Sequence, residues 1–131
     1  MLNEIEEAVG RRLSTANIAP IVWPNKASAP AKPYLAVQHV PTENENRSLN
    51  GTGGEVQRGY FIITVVAPSN TFATVANGKA NDVKTRFPMG LALDAGTRKL
   101  RIWRPAQMLP GFADDADWRQ PVRVDYMVTG K

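Results

Sequence analysis

The chain of 131 residues contains no cysteine. That absence removes disulfide scaffolds, thiolate metal centres and thiol nucleophiles together, and it fits a reducing compartment. Histidine is nearly as scarce. His39 is the only one, so Ser-His-Asp catalysis or one of the commoner zinc sites would have to be built around it. The sequence around it offers no nucleophile elbow, no HExxH pair and no second histidine. A lone histidine on a strand is more often a packing or surface residue than a catalyst. Long apolar runs are missing as well. Nothing approaches the roughly 20 apolar residues of a membrane span. The opening MLNEIEEAVGRRL carries acids first and has no apolar core of signal-peptide length, so no secretory signal is expected.

What is present is ordinary globular material: 43% hydrophobic and 21% charged residues, without the signature of disorder. The length suits one domain, residues 1–131, able to bury about two-thirds of its unfolded surface. The formal net charge is +4 and the pI near 9.7. The basic residues are scattered, however. Arg11–Arg12, Arg98–Lys99–Arg101 and Arg104 are the densest groups, and none forms a run of five.

Residues 2–18 read as an amphipathic helix, with Leu2, Ile5, Val9, Leu13 and Ala16 on one face and Glu4, Glu6, Glu7, Arg11 and Arg12 on the other. Prolines 20, 24, 30 and 33 make the next stretch extended and irregular. Tyr34–Val40 reads as a strand, and residues 42–55 as a long polar loop. The strongest strand is Val56–Ala67, apolar on both faces through Tyr60–Val66. It belongs in the middle of a sheet, with layers on both sides or a partner subunit on one. A second helix follows, capped by Ser69 or Asn70, its stripe running through Phe72, Val75, Ala76, Lys79, Ala80, Val83 and Phe87, with only Lys79 polar. Lys99–Arg104 and Pro121–Val128 are two further strands, the latter one-sided, separated by an irregular loop at 106–117. Met89–Arg98 carries only a weak signal for an extra strand or turn. Neither adjacent strand pair has a helical crossover, so each pairs antiparallel. The expected fold is α+β: a mainly antiparallel sheet of about four strands packed against two helices, with long polar loops.

Three features of the sequence bear on chemistry. Asp114, Asp115 and Asp117 could hold a hard cation, but the glycine and glutamate that an EF-hand loop needs are missing. The glycines of Asn50–Gly54 precede a strand rather than a helix and lack a following Gly-Lys-Ser/Thr, so no phosphate cradle forms. There is no RNP-type sequence, helix-turn-helix spacing or zinc knuckle. No catalytic, cofactor-binding or metal-binding residue is therefore assigned.

Taken together, the order of Ile21-Val22-Trp23-Pro24-Asn25, Pro33-Tyr34-Leu35-Ala36-Val37, Gly59-Tyr60-Phe61, Val65-Val66-Ala67-Pro68, Phe87-Pro88, Asp117-Trp118 and Pro121-Val122-Arg123-Val124-Asp125-Tyr126 resembles the tail-terminator-like family of tailed bacteriophages and prophages. The resemblance covers nearly the whole chain. It implies a ring, commonly six-fold, that caps the tail tube, ends its polymerisation and offers a surface to the head connector. Its implied partners are further copies of itself, the major tail tube protein and head–tail connector proteins. DNA would pass through the lumen without specific binding, and neither membrane nor cofactor is involved. The implied location is the virion tail, assembled in the bacterial host cytoplasm. Within that reading, Arg47, Arg58, Asp114 and Asp115 are candidate inter-subunit or tube contacts, because they combine loop placement with charges able to fix register. Three alternatives stay open: a neck or head-closure protein, a small nucleic-acid-binding module, and an enzyme with a loop-built site around His39.

Overall fold

The computed structural model describes residues 2–23, 33–46, 55–68, 73–96, 98–114 and 117–129. Helix α1, Leu2–Ser14, forms where Ile5, Ala8, Val9 and Leu13 repeat at three- and four-residue steps, and all four are buried. It is shorter than the periodicity to residue 18 suggests. The Ser14 and Thr15 hydroxyls donate to the carbonyls of Arg11 and Arg12, at 3.1 and 3.0 Å, and Asn17 adopts φ 54°. Side chains that bond neighbouring carbonyls, followed by a residue tolerant of the left-handed region, terminate the helix.

Strand β1 (Ile21–Val22) runs parallel to the start of β2 (Tyr34–Asn46), which pairs antiparallel with β3 (Glu55–Pro68). Helix α2 spans Ala73–Arg86. Then come β4 (Ala92–Ala95), β5 (Arg98–Ile102), β6 (Gln107–Met108), β7 (Phe112–Asp114) and β8 (Asp117–Thr129). The sheet order is β1-β2-β3-β8-β5-β4. Strands β6 and β7 continue the lane of β5 along β8, opposite Val122–Arg123 and Asp117–Arg119.

This overturns the expected sandwich of about four strands. The sheet has eight strands, curls into a half-barrel, and holds about twice as many residues as the helices. Strands of two to four residues are too short for a period-two pattern to show, and β1, β4, β6 and β7 are of that kind. The residues read as an irregular loop at 106–117 supply β6 and β7, and Met89–Arg98 supplies β4. The polar residues 42–46 and 55 belong to β2 and β3. Backbone pairing across a bulge between Pro41 and Glu43 carries both strands into the expected loop. The expected caps Ser69 and Asn70, and Phe72, lie outside the described residues.

Both helices cover one face of the sheet. There Leu35, Val37, Phe61, Ile63, Val65, Val122, Val124, Tyr126 and Val128 meet Ile5, Val9, Leu13, Ala80, Val83 and Phe87 in a single core. The other face is not the one the helices pack on; there Tyr60, Ile62 and Thr64 of β3 are half-buried and Val66 is buried. The face of β8 expected to be wet is also drier than alternation implies. Arg123 and Met127 are half-buried and Asp125 is buried.

Gly59 lies where β2, β3 and β8 meet. A Cβ there would stand 2.6 Å from the Tyr126 hydroxyl and 2.7 Å from the Val40 carbonyl oxygen. Neither neighbour can retreat, since one is a packed ring and the other backbone. Gly59→Ala should therefore lower stability by about 1–3 kcal/mol, the usual cost of overpacking. Urea unfolding would measure this, and an unchanged midpoint would contradict the tight approach.

A candidate interaction surface

His39 is the natural first place to look for chemistry. Strand β2 places it on the helix-covered face, its ring stacked on Phe61 at 4.4 Å and 8°. Nδ1 lies 3.0 Å from Glu6 Oε2 of α1, and Nε2 lies 2.6 Å from the Tyr126 hydroxyl. A carboxylate only accepts, so Nδ1 carries the hydrogen and Nε2 accepts from the phenol. Every polar atom of the imidazole is then used. The histidine side chain is 4% exposed, and Tyr126 is buried. The cluster has the groups of a proton relay, but both ring nitrogens are committed, and it works as a tie between α1 and the centre of the sheet.

A second cluster of charge lies between the helix ends. Arg12 Nε donates to the Arg86 carbonyl at 3.0 Å, and Arg86 Nε donates to the Arg12 carbonyl at 2.9 Å. Each arginine thus satisfies a carbonyl that the other helix end leaves open. Burial, and then the neighbouring Arg86, lowers the pKa of Arg12 from its ordinary value. Lys79 Nζ donates to the Ile18 carbonyl at 3.0 Å. These residues line a cleft of about 600 Å³ with Asn17, Asp82 and Thr85. It resembles an anion site in charge, but its three cations already bond carbonyl oxygens.

The uncovered sheet face is different in kind. At its middle, Asp125 of β8 has a side chain only 5% exposed, while Arg123 donates to its Oδ1 from Nε at 3.2 Å and Nη2 at 3.1 Å. Arg104 Nε approaches Oδ2 at 4.0 Å, and that oxygen has no hydrogen-bond partner among the described residues. Each arginine also lies over an aromatic ring. Arg123 sits 3.9 Å from the Tyr60 ring centroid and Arg104 4.2 Å from that of Trp103. Arginine and large aromatic side chains around a buried acid have the composition of protein-interface centres. Sequence reasoning passed over this cluster. Arg123 and Asp125, two apart on one strand, were legible as a same-face ion pair. The register that sets Tyr60 opposite Asp125 was not.

The charged candidates are not brought together. Arg58, half-buried on β3, faces Met127, whereas Asp114 of β7 faces Asp117, itself the partner of Pro68. Ten strand positions separate residues 58 and 68, roughly 33 Å. Arg47 and Asp115 lie outside the described residues. Among the described residues, no group of three or more His, Cys, Asp or Glu side chains could hold a metal ion. No described helix is long and apolar enough to cross a membrane.

A family model described as phage tail terminator protein matches residues 4–126. One solved protein, known only by a sequence identifier, superposes with a TM-score of 0.82 at 25% identity, covering 100% of this chain and 97% of its own. A second, from the virion of a native gene transfer agent particle, shares the fold with a TM-score of 0.62 at 18% identity, over 96% of this chain and 94% of that one. No curated protein matches the sequence.

The histidine cluster makes a measurable prediction. Burial, and then the Glu6 charge, push the Tyr126 phenol up to about 12 from an ordinary value of 10.0. The folded state thus holds its proton more tightly than the unfolded state. The stabilisation is complete below pH 10 and is lost as pH rises toward 12, on the order of 2–3 kcal/mol in all. Tyr126→Phe should cost about 1–3 kcal/mol at pH 8 by leaving His39 Nε2 unpaired, and should flatten the decline above pH 10. Urea midpoints at pH 8, 10 and 11.5 would show both. An equally steep alkaline decline in the variant would rule out Tyr126 as its source.

Proposed function

This chain belongs to the phage tail terminator family, and from that premise we propose that its copies close into a ring on the end of the tail tube. As a member, it is a structural component of the phage tail. The ring ends polymerisation of the tube and presents the surface that receives the head connector. The observation that carries this reading is the family match over residues 4–126, which spans the fold from α1 to the last turns of β8. The shared fold with a protein of the gene transfer agent virion supports the same setting.

The ring is six-fold in this reading. Its partners are other copies of the chain, the major tail tube protein and the head–tail connector. Assembly takes place in the host cytoplasm, and DNA passes through the lumen without specific binding. A capping subunit acts through surfaces and not through a cavity. That suits a chain whose His39 and Arg12–Arg86 clusters hold elements together. Each subunit of a closed ring needs two different, complementary surfaces. Arg47, Arg58, Asp114 and Asp115 are the charges proposed to set register at such contacts, or against the tube. The separation of Arg58 from Asp114 along β3 favours their serving two different neighbours.

Negative-stain images of tube ends with and without the protein test the capping role. Capped ends of uniform length are expected, and unrestricted tube growth in its presence would defeat the proposal. Reversing Asp114 and Asp115 together to lysine should weaken ring formation in sedimentation at least tenfold. Unchanged assembly would remove these two from the contact set.

A further inference from the structure

We propose that Arg104 and Arg123 form a docking site for one carboxylate side chain of a partner protein, with the buried Asp125 holding both guanidiniums in place. The site is complete within one chain, so the inference goes beyond the ring reading and does not depend on it.

Asp125 lies between two arginines. Its carboxylate can neutralise one guanidinium but serves two, so one positive charge is left over. Arg123 spends Nε and Nη2 on Oδ1, which leaves its Nη1 donors for another acceptor. Arg104 stands 4.0 Å from Oδ2 and makes no hydrogen bond among the described residues. The side chains of Arg104 and Arg123 are 41% and 35% exposed, whereas Oδ2 is buried. An incoming group therefore meets guanidinium edges and not the carboxylate that anchors them. Ordering a free arginine costs side-chain entropy on binding. Here much of that ordering is already done, since Arg123 lies over the Tyr60 ring and Arg104 over that of Trp103.

One surplus charge calls for one anionic group, and the flat arginine fork fits a carboxylate or a phosphodiester. The surroundings favour the carboxylate. Guanidiniums already cover a face of Tyr60 and of Trp103, where the bases of a nucleic acid would stack. A nucleic acid also needs a track of cations for successive phosphates. Past Arg123 the same sheet face continues instead through Ile62, Thr64 and Pro121. In the other direction Met127 stands between Arg58 and Arg101, but Glu43 is opposite Arg58. An apolar surface with one charged point suits a protein partner that presents an aspartate or glutamate among apolar side chains.

Three probes titrated into the intact protein test the site: acetyl-Ala-Glu-Ala-amide, its glutamine twin, and thymidylyl-thymidine, whose single phosphodiester carries the same charge as the glutamate. The Nε–H resonances of Arg104 and Arg123 and the indole N–H of Trp103 report binding. The glutamate peptide should move all three signals together. It should bind about tenfold more tightly than the glutamine peptide, the worth of one charge-assisted hydrogen bond. Arg104→Gln, checked for folding by thermal melting, should weaken the glutamate peptide about tenfold. Lys84→Gln removes the same charge from an exposed position on α2 and should leave binding unchanged. Unmoved signals in the wild-type chain, or equal binding of the two peptides, would overturn the proposal. So would equal losses in the two variants, and tighter binding of thymidylyl-thymidine would assign the site to nucleic acid instead.

Discussion

The rest of the structure depends on the ladder between β3 and β8, which runs without a break from Val56 opposite Thr129 to Pro68 opposite Asp117. Because side chains alternate along a strand, this register puts Phe61, Ile63 and Val65 on the same face as Val122, Val124, Tyr126 and Val128. Each such side chain is worth about 1.5–3 kcal/mol when fully buried. A slip of one residue would send the whole set to the uncovered side, so the register is strongly determined. Every other strand is placed by these two. Strand β2 pairs with β3, while β5, β6 and β7 share the far side of β8.

The helices are set on that platform by packing and oriented by a few polar ties. Apolar contacts from Ile5, Val9, Leu13, Val83 and Phe87 supply the adhesion. The bonds of His39 to Glu6 and Tyr126, and the reciprocal arginine-to-carbonyl bonds between helix ends, add only about 1 kcal/mol net apiece. Their importance is positional. A buried imidazole left without partners would cost more than the bonds contribute, so the helix angle that satisfies His39 is favoured over its neighbours.

These ties also say what the described titratable clusters do. The buried His39 side chain is tied to Glu6 and Tyr126, and Arg12, Lys79 and Arg86 hold carbonyls. What faces outward with unmet capacity is surface: the Tyr60–Arg123–Asp125–Arg104 array and the exposed Trp103, Met108 and Phe112. A structural subunit of a phage tail acts through such surfaces. The apolar run Tyr60–Val66 has the same explanation. Its inward residues meet the helices, and of its outward residues Tyr60, Ile62 and Thr64 are half-buried, with Arg123 over the Tyr60 ring.

Several features were determined by the sequence itself. The 3.6-residue spacing of Ile5, Val9 and Leu13 required α1, the β-branched run of β3 required a central strand, and the lack of cysteine excluded a whole class of sites. The order of short motifs along the chain was enough to suggest the family. The size of the sheet was not legible, because β1, β4, β6 and β7 are too short to show alternation and form only where β2, β5 and β8 offer open backbone groups. The role of His39 was hidden for a similar reason. Its partners lie 33 and 87 positions away, and no local pattern reaches that far. The same holds for Asp125 between two arginines. Residue types set what each side chain could do, and the register of β3 against β8 decided which of them would meet.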